Sequence, residues 1–94
     1  MNQLLLMGRL AEQLKTDESG LRTVMKLEIV RDDDNSVNSE ACIIPVLLWR
    51  GLGDILQEKS QVGDVFAVKG SISVTNDRLM IIAERVSTIK ENKA

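Results

Sequence analysis

The sequence predicts an all-β barrel of five strands with one short helix between the third and fourth, and three observations carry that prediction. Apolar and polar residues alternate with the period of two that sends successive side chains to opposite faces of a sheet. Gly8 and Gly70 fall inside alternating stretches, where a closed sheet needs a coil or bulge to turn a corner. A single helical pattern lies between strands, with polar turns around it. The interior must be aliphatic, because Trp49 and Phe66 are the only aromatics among 94 residues.

Residues 2–14 form the first predicted strand, in which Leu4, Leu6 and Leu10 alternate with Gln3 and Arg9. The cluster Thr16-Asp17-Glu18-Ser19-Gly20 is a turn. Over residues 21–31, Thr23, Met25, Leu27 and Ile29 share one face, and Arg22, Lys26 and Glu28 the other. An acidic loop, Asp32-Asp33-Asp34, precedes the third strand at 41–50, where Pro45 lacks a ladder donor and points to an edge or a bulge. Gly51-Leu52-Gly53 reads as a turn that breaks this strand, and a helix over Asp54 to Ser60 follows with Leu52, Ile55, Leu56 and Lys59 at helical spacing. Strands over 65–74 and 79–89 flank the tight loop Thr75-Asn76-Asp77. Residues 1–90 make one domain and 91–94 a short polar tail. This order is that of the OB-fold, a five-stranded Greek-key barrel, with a mixed α+β sandwich as the alternative. The inward phase selects Leu4, Leu6, Leu27, Ile29, Val46, Leu48, Phe66, Val68, Ile72 and Val86 as the core.

Twelve Lys and Arg against 14 Asp and Glu leave a net charge of −2, so attraction to phosphate needs a local basic face. Cys42 is the only cysteine and sits in an apolar strand, where a plain buried thiol is expected; a reducing compartment, the cytoplasm, fits. No apolar run approaches the ~20 residues of a membrane span. With no His, no Gly-rich phosphate loop and no metal-ligand spacing, neither an enzyme nor a metal or cofactor site is expected. Asp32–Asp34 reads as a solvated loop, and Asp54 would repel an anion at the Gly51-Leu52-Gly53 turn.

Trp49 closes the third strand on the face shared by Ile43, Pro45 and Leu47. Such a Trp either stacks a base or packs in a core or subunit interface. Arg50 beside it, with Arg9, Arg22 and Lys26 at polar strand positions, would neutralise phosphates; solvated charges balanced by Glu12, Glu28 and Glu84 are the other reading. One stacked base and four phosphate contacts imply weak binding by one protomer, with a salt slope of about −3 at ~0.7 per contact. The apolar outer positions of the third strand favour a homo-oligomer, whose avidity would raise that affinity.

Four segments carry a family resemblance. Asn2-Gln3-Leu4-Leu5-Leu6-Met7-Gly8-Arg9-Leu10 resembles the opening of bacterial single-stranded DNA-binding proteins, an Asn-x-Val-x-Leu-x-Gly-Arg-Leu pattern. Val46 to Gly51 resembles the close of their third strand, Gly63 to Ile72 their fourth, and Ala83-Glu84-Arg85-Val86 their last. The resemblance covers residues 2–89 and implies an OB-fold, sequence-independent binding of single-stranded DNA in replication, recombination or repair, and a dimer or tetramer. Single-stranded RNA stays open as a second ligand. The chain departs from the pattern where the family stacks bases: of those aromatic positions only Trp49 is filled, Ile43 stands at another, and Asn76-Asp77 makes a short hairpin in place of a long arm. The family's acidic tail has no counterpart in Glu91-Asn92-Lys93-Ala94. The resemblance is thus to a minimal, divergent relative. The rival function is a protein-interaction or assembly module that kept the barrel and lost its DNA site.

Overall fold

Alternation of inward and outward side chains builds five long strands and closes them on an aliphatic interior. The computed structural model describes residues 2–31 and 40–89, with backbone alone for Val30, Arg31, Glu40, Ala41 and Arg50. In chain order the elements are β1 (Leu4–Leu10), β2 (Lys15–Thr16), β3 (Arg22–Arg31), β4 (Glu40–Trp49), α1 (Arg50–Lys59), β5 (Val65–Thr75) and β6 (Arg78–Ile89). The sheet order is β1-β5-β6-β4-β3-β2, and a further pairing of β1 with β3 closes the barrel. All ladders are antiparallel except β4 with β6, where Val46 and Leu47 pair with Ile81 and Ile82. This is the predicted OB-fold, with the helix between the third and fourth long strands. The predicted first strand, 2–14, ends at Leu10, and the two-residue β2 on the edge of β3 lies beyond it, taking Thr16 from the predicted turn.

The core holds Leu10, Met25, Leu27, Val46, Leu48, Phe66 and Val68, with Leu56 of α1 and Ile81 and Ala83 of β6; Leu4, Leu6 and Val86 pack on it from its margin, and Ile29 is half-buried. Ile72 is a correction. It keeps the inward phase but is exposed, with Val74 and Leu79, because the β5–β6 hairpin runs past the barrel wall. Asn76 and Asp77 both have positive φ, the backbone of a two-residue type I′ turn whose twist suits a hairpin. Cys42 is a second correction: it is exposed, not buried.

Gly70 sits at the register shift between β5 and β6, where a Cβ would collide with the carbonyl of Ile82. That is the bulge expected of a barrel corner. Pro45 falls one residue before the β4 residues that pair with β6, so it lies on the half of β4 whose second side is open in the described ladders. The helix differs from expectation. It begins at Arg50 directly after the N-cap residue Trp49, so Gly51 and Gly53 lie within it and form no turn. Gly53 has a packing role: a Cβ there would enter the side chain of Thr23, which is buried on β3 beneath the helix. The Asp32–Asp34 loop and the tail at 91–94 lie outside the described residues.

Candidate nucleic-acid interface

The outward phase of β3 and β4 places four cross-strand pairs on one surface. Register pairs Arg22 with Trp49, Val24 with Leu47, Lys26 with Pro45 and Glu28 with Ile43. Leu47 is buried although it points outward, with Val24 and Ile82 as its cross-strand neighbours. Trp49, in contrast, is 56% exposed. The core reading of Trp49 is therefore overturned, and an open indole stands at the junction of β4 and α1.

One face of that indole is occupied. The guanidinium carbon of Arg22 lies 4.8 Å from the ring centroid, a cation–π contact between directly paired residues. Arg22 is fixed in turn by the Asp17–Leu21 turn. The Asp17 amide donates to the Arg22 carbonyl at 2.8 Å, and the Arg22 amide donates to Asp17 Oδ1 at 3.4 Å. Ser19 Oγ donates to the same oxygen at 2.6 Å and accepts from the Leu21 amide at 3.2 Å. The Ser19 hydroxyl first, and then the backbone amides of Arg22, Gly20 and Ser19, hold the Asp17 carboxyl below the usual aspartate value, burial opposing them.

The sequence-predicted cations separate in space. Arg22 joins Trp49. Lys26 shares their face but is engaged, its Nζ 3.1 Å from Glu12 Oε1. The Lys26 ammonium correspondingly holds the Glu12 carboxyl below its ordinary value. Such exposed pairs are weak and salt-screened, so Lys26 can be released to a phosphate. Arg9 stands apart, lining a cleft of about 680 Å³ at the far end of α1 with Lys59, Ser60, Val65 and Ile89. The ten residues of α1 put roughly 15 Å between that cleft and Trp49. Of Arg50 only the backbone is described, as the first residue of α1.

No group of three or more His, Cys, Asp or Glu side chains able to hold a metal occurs among the described residues, and no described helix is long and apolar enough to cross a membrane. An open Trp backed by an Arg and flanked by a releasable Lys, on the outer face of a closed barrel, is a surface for stacking and ion pairing. Residues 1–86 match the single-strand binding protein family. The chain belongs to that family. A small single-stranded DNA-binding protein of Mycoplasma pneumoniae has a similar fold, with a TM-score of 0.78, 12% identity and 99% of each chain covered. One of Streptomyces coelicolor aligns at a TM-score of 0.72 and 16% identity, covering 98% of this chain and 95% of that one. The Thermus aquaticus protein aligns at 0.69 and 22%, and this chain spans 43% of it. No curated protein matches the sequence. Single-strand binding proteins are non-catalytic, and the low identities mark this chain as a divergent member.

Sequence reasoning missed two features of this family member. Asn2 clamps the hairpin: its side-chain amide donates to the Ile72 carbonyl at 2.5 Å and accepts from the Ile72 amide at 3.0 Å. That explains the Asn at the head of the first motif. The cations Lys69 and Arg85 on β5 and β6 were also passed over, although alternation alone puts Lys69 between buried Val68 and Gly70 and so outside.

Proposed function

We propose that this chain binds single-stranded DNA without sequence preference and without catalysis, stacking one base on the free face of Trp49. The observation that carries the reading is the exposed indole with Arg22 on one face only. Arg22 holds the ring at a fixed tilt and stands ready for the phosphate beside the stacked base. Lys26 adds a second charge once released from Glu12, and Arg50, one residue beyond the Trp, supplies a third. Arg9 meets a strand that runs on along the far end of the helix. Every base has a π-face, so stacking with backbone contacts reads no sequence. Family membership supports a setting in replication, recombination or repair, and we infer the cytoplasm as the compartment. The protein acts as one domain over residues 1–90 with a polar tail after it.

The functional unit is a homo-oligomer. From Leu4 to Gly8 the described pairing of β1 is with β5 alone, and β3 joins only at Arg9 and Leu10. That half-open strand carries Leu5 and Met7, 76% and 57% exposed. An unpaired edge with an apolar stripe is a template for a second copy of the same strand.

The test is the anisotropy of a labelled oligo-dT titrated with protein at about 20 mM salt, repeated as salt rises. Binding that weakens with salt, and that a duplex of the same length does not compete away, is expected. Equal competition by duplex would contradict the reading. Complete absence of binding would leave the barrel as an interaction module.

A further inference from the structure

Between β1 and β2 the chain stays beside β3 but bulges away from it. Leu10 pairs with Leu27, the Ala11 amide donates to the Lys26 carbonyl at 2.9 Å, and Lys15 pairs with Val24. Residues 12, 13 and 14 therefore stand against Met25 alone. Extra residues of this kind bend a strand and re-aim its side chains. Here Leu14 turns into the core, only 5% exposed, and its carbonyl accepts from Gln57 Nε2 of α1 at 3.3 Å. With Ala11 and Leu14 both fixed, the bulge carries Glu12 to the outer side, its Oε1 3.1 Å from Lys26 Nζ.

That contact lies on the surface that carries Trp49. Lys26 shares the outward phase of Arg22 on β3 and stands about 13 Å along the strand from it. Among the described side chains, Lys15, Arg22 and Lys26 share this face with Glu12 and Glu28. A single strand gains from the face both a stacked base and paired charge. A duplex keeps its bases stacked on one another and gains the charge alone. It also carries the denser charge, one per about 1.7 Å of axis. A carboxylate fixed against Lys26 therefore subtracts more from duplex binding than from single-strand binding. Such a repulsive element raises specificity without any new contact to the preferred ligand. We propose, resting on the single-strand reading above, that Glu12 is a specificity-determining residue, aimed by the bulge to hold back Lys26 and so to disfavour duplex.

The test measures the anisotropy of a labelled oligo-dT and of a labelled duplex of the same length, each titrated with protein at about 20 mM salt. The parent chain is compared with Glu12→Gln, which keeps the side chain's length and removes its charge. Glu84→Gln is the control, since it removes the same charge from β6, which has no ladder to β3. Glu12→Gln should bind both ligands more tightly. The duplex gain should exceed the single-strand gain by about twofold, the ratio that ~0.9 and ~0.7 per regained phosphate contact give at this salt. Glu84→Gln should leave the ratio of the two affinities at the parent value. Equal gains on the two ligands, or no gain on either, overturn the role of Glu12. An equal shift in Glu84→Gln overturns it too, assigning the effect to net charge. If the parent binds no oligo-dT, or binds duplex as tightly, the single-strand reading itself falls and the role of Glu12 with it.

Discussion

Trp49 and Arg22 show how a residue pair is set by local chemistry. The direct cross-strand register brings the guanidinium over the ring, and Asp17 fixes the backbone of Arg22. Since the Asp17 carboxyl is held below its ordinary value, its contribution is fully present at neutral pH and is lost as pH falls through the lowered value. The amide proton of Arg22, followed by NMR, should titrate with a midpoint below the ordinary aspartate value of about 3.9. The same titration should vanish in Asp17→Asn. A midpoint at or above the ordinary value would show that the turn does not hold Arg22. From sequence, Trp49 and Arg22 were each visible as candidates, but their contact was not. Register decides which residues face one another, and alternation alone does not fix register.

At the scale of elements, strand phase was legible and helix position was not. Thr23, Met25 and Leu27 alternate in sequence and point inward as alternation requires. Gly51-Leu52-Gly53 reads as a breaker on local preference, yet both glycines lie in α1. Tertiary contact outweighs propensity there: Gly53 lets the helix rest on Thr23, which is only 2% exposed and cannot move aside. The two effects predict opposite signs for Gly53→Ala. Helix propensity alone favours Ala by about 1 kcal/mol, whereas overpacking costs ~1–3 kcal/mol. We expect packing to win and the variant to melt lower than the parent. A higher melting temperature would mean that α1 does not sit on β3 at this point. Ile72 and Cys42 were misplaced for a related reason. Period two gives the direction of a side chain, and only the extent of the neighbouring strands tells whether anything covers it.

For the whole molecule, the closed barrel leaves the Leu4–Gly8 half of β1 with one partner strand in the described ladders. A homo-oligomer through that margin should appear in light scattering at tens of micromolar, about the range where avidity matters for a weak binder. Leu5→Glu should yield folded monomers that melt lower than the parent only by the lost stabilisation of association, since Leu5 is exposed and outside the core. A parent chain that is already monomeric would contradict this assembly. The barrel itself was legible from element order and the glycines at its corners.

The claim on which the functional account rests is that a base stacks on Trp49, and the protein contains its own reporter, with no second Trp and no Tyr to compete. The decisive measurement is Trp49 emission during titration with oligo-dT at about 20 mM salt, run beside the anisotropy of the labelled strand. The account predicts quenching that saturates together with the anisotropy, and an affinity loss of ~1–3 kcal/mol in Trp49→Ala with little change in salt slope, because stacking releases no counterions. A strand that binds fully while Trp49 emission stays unchanged would contradict it.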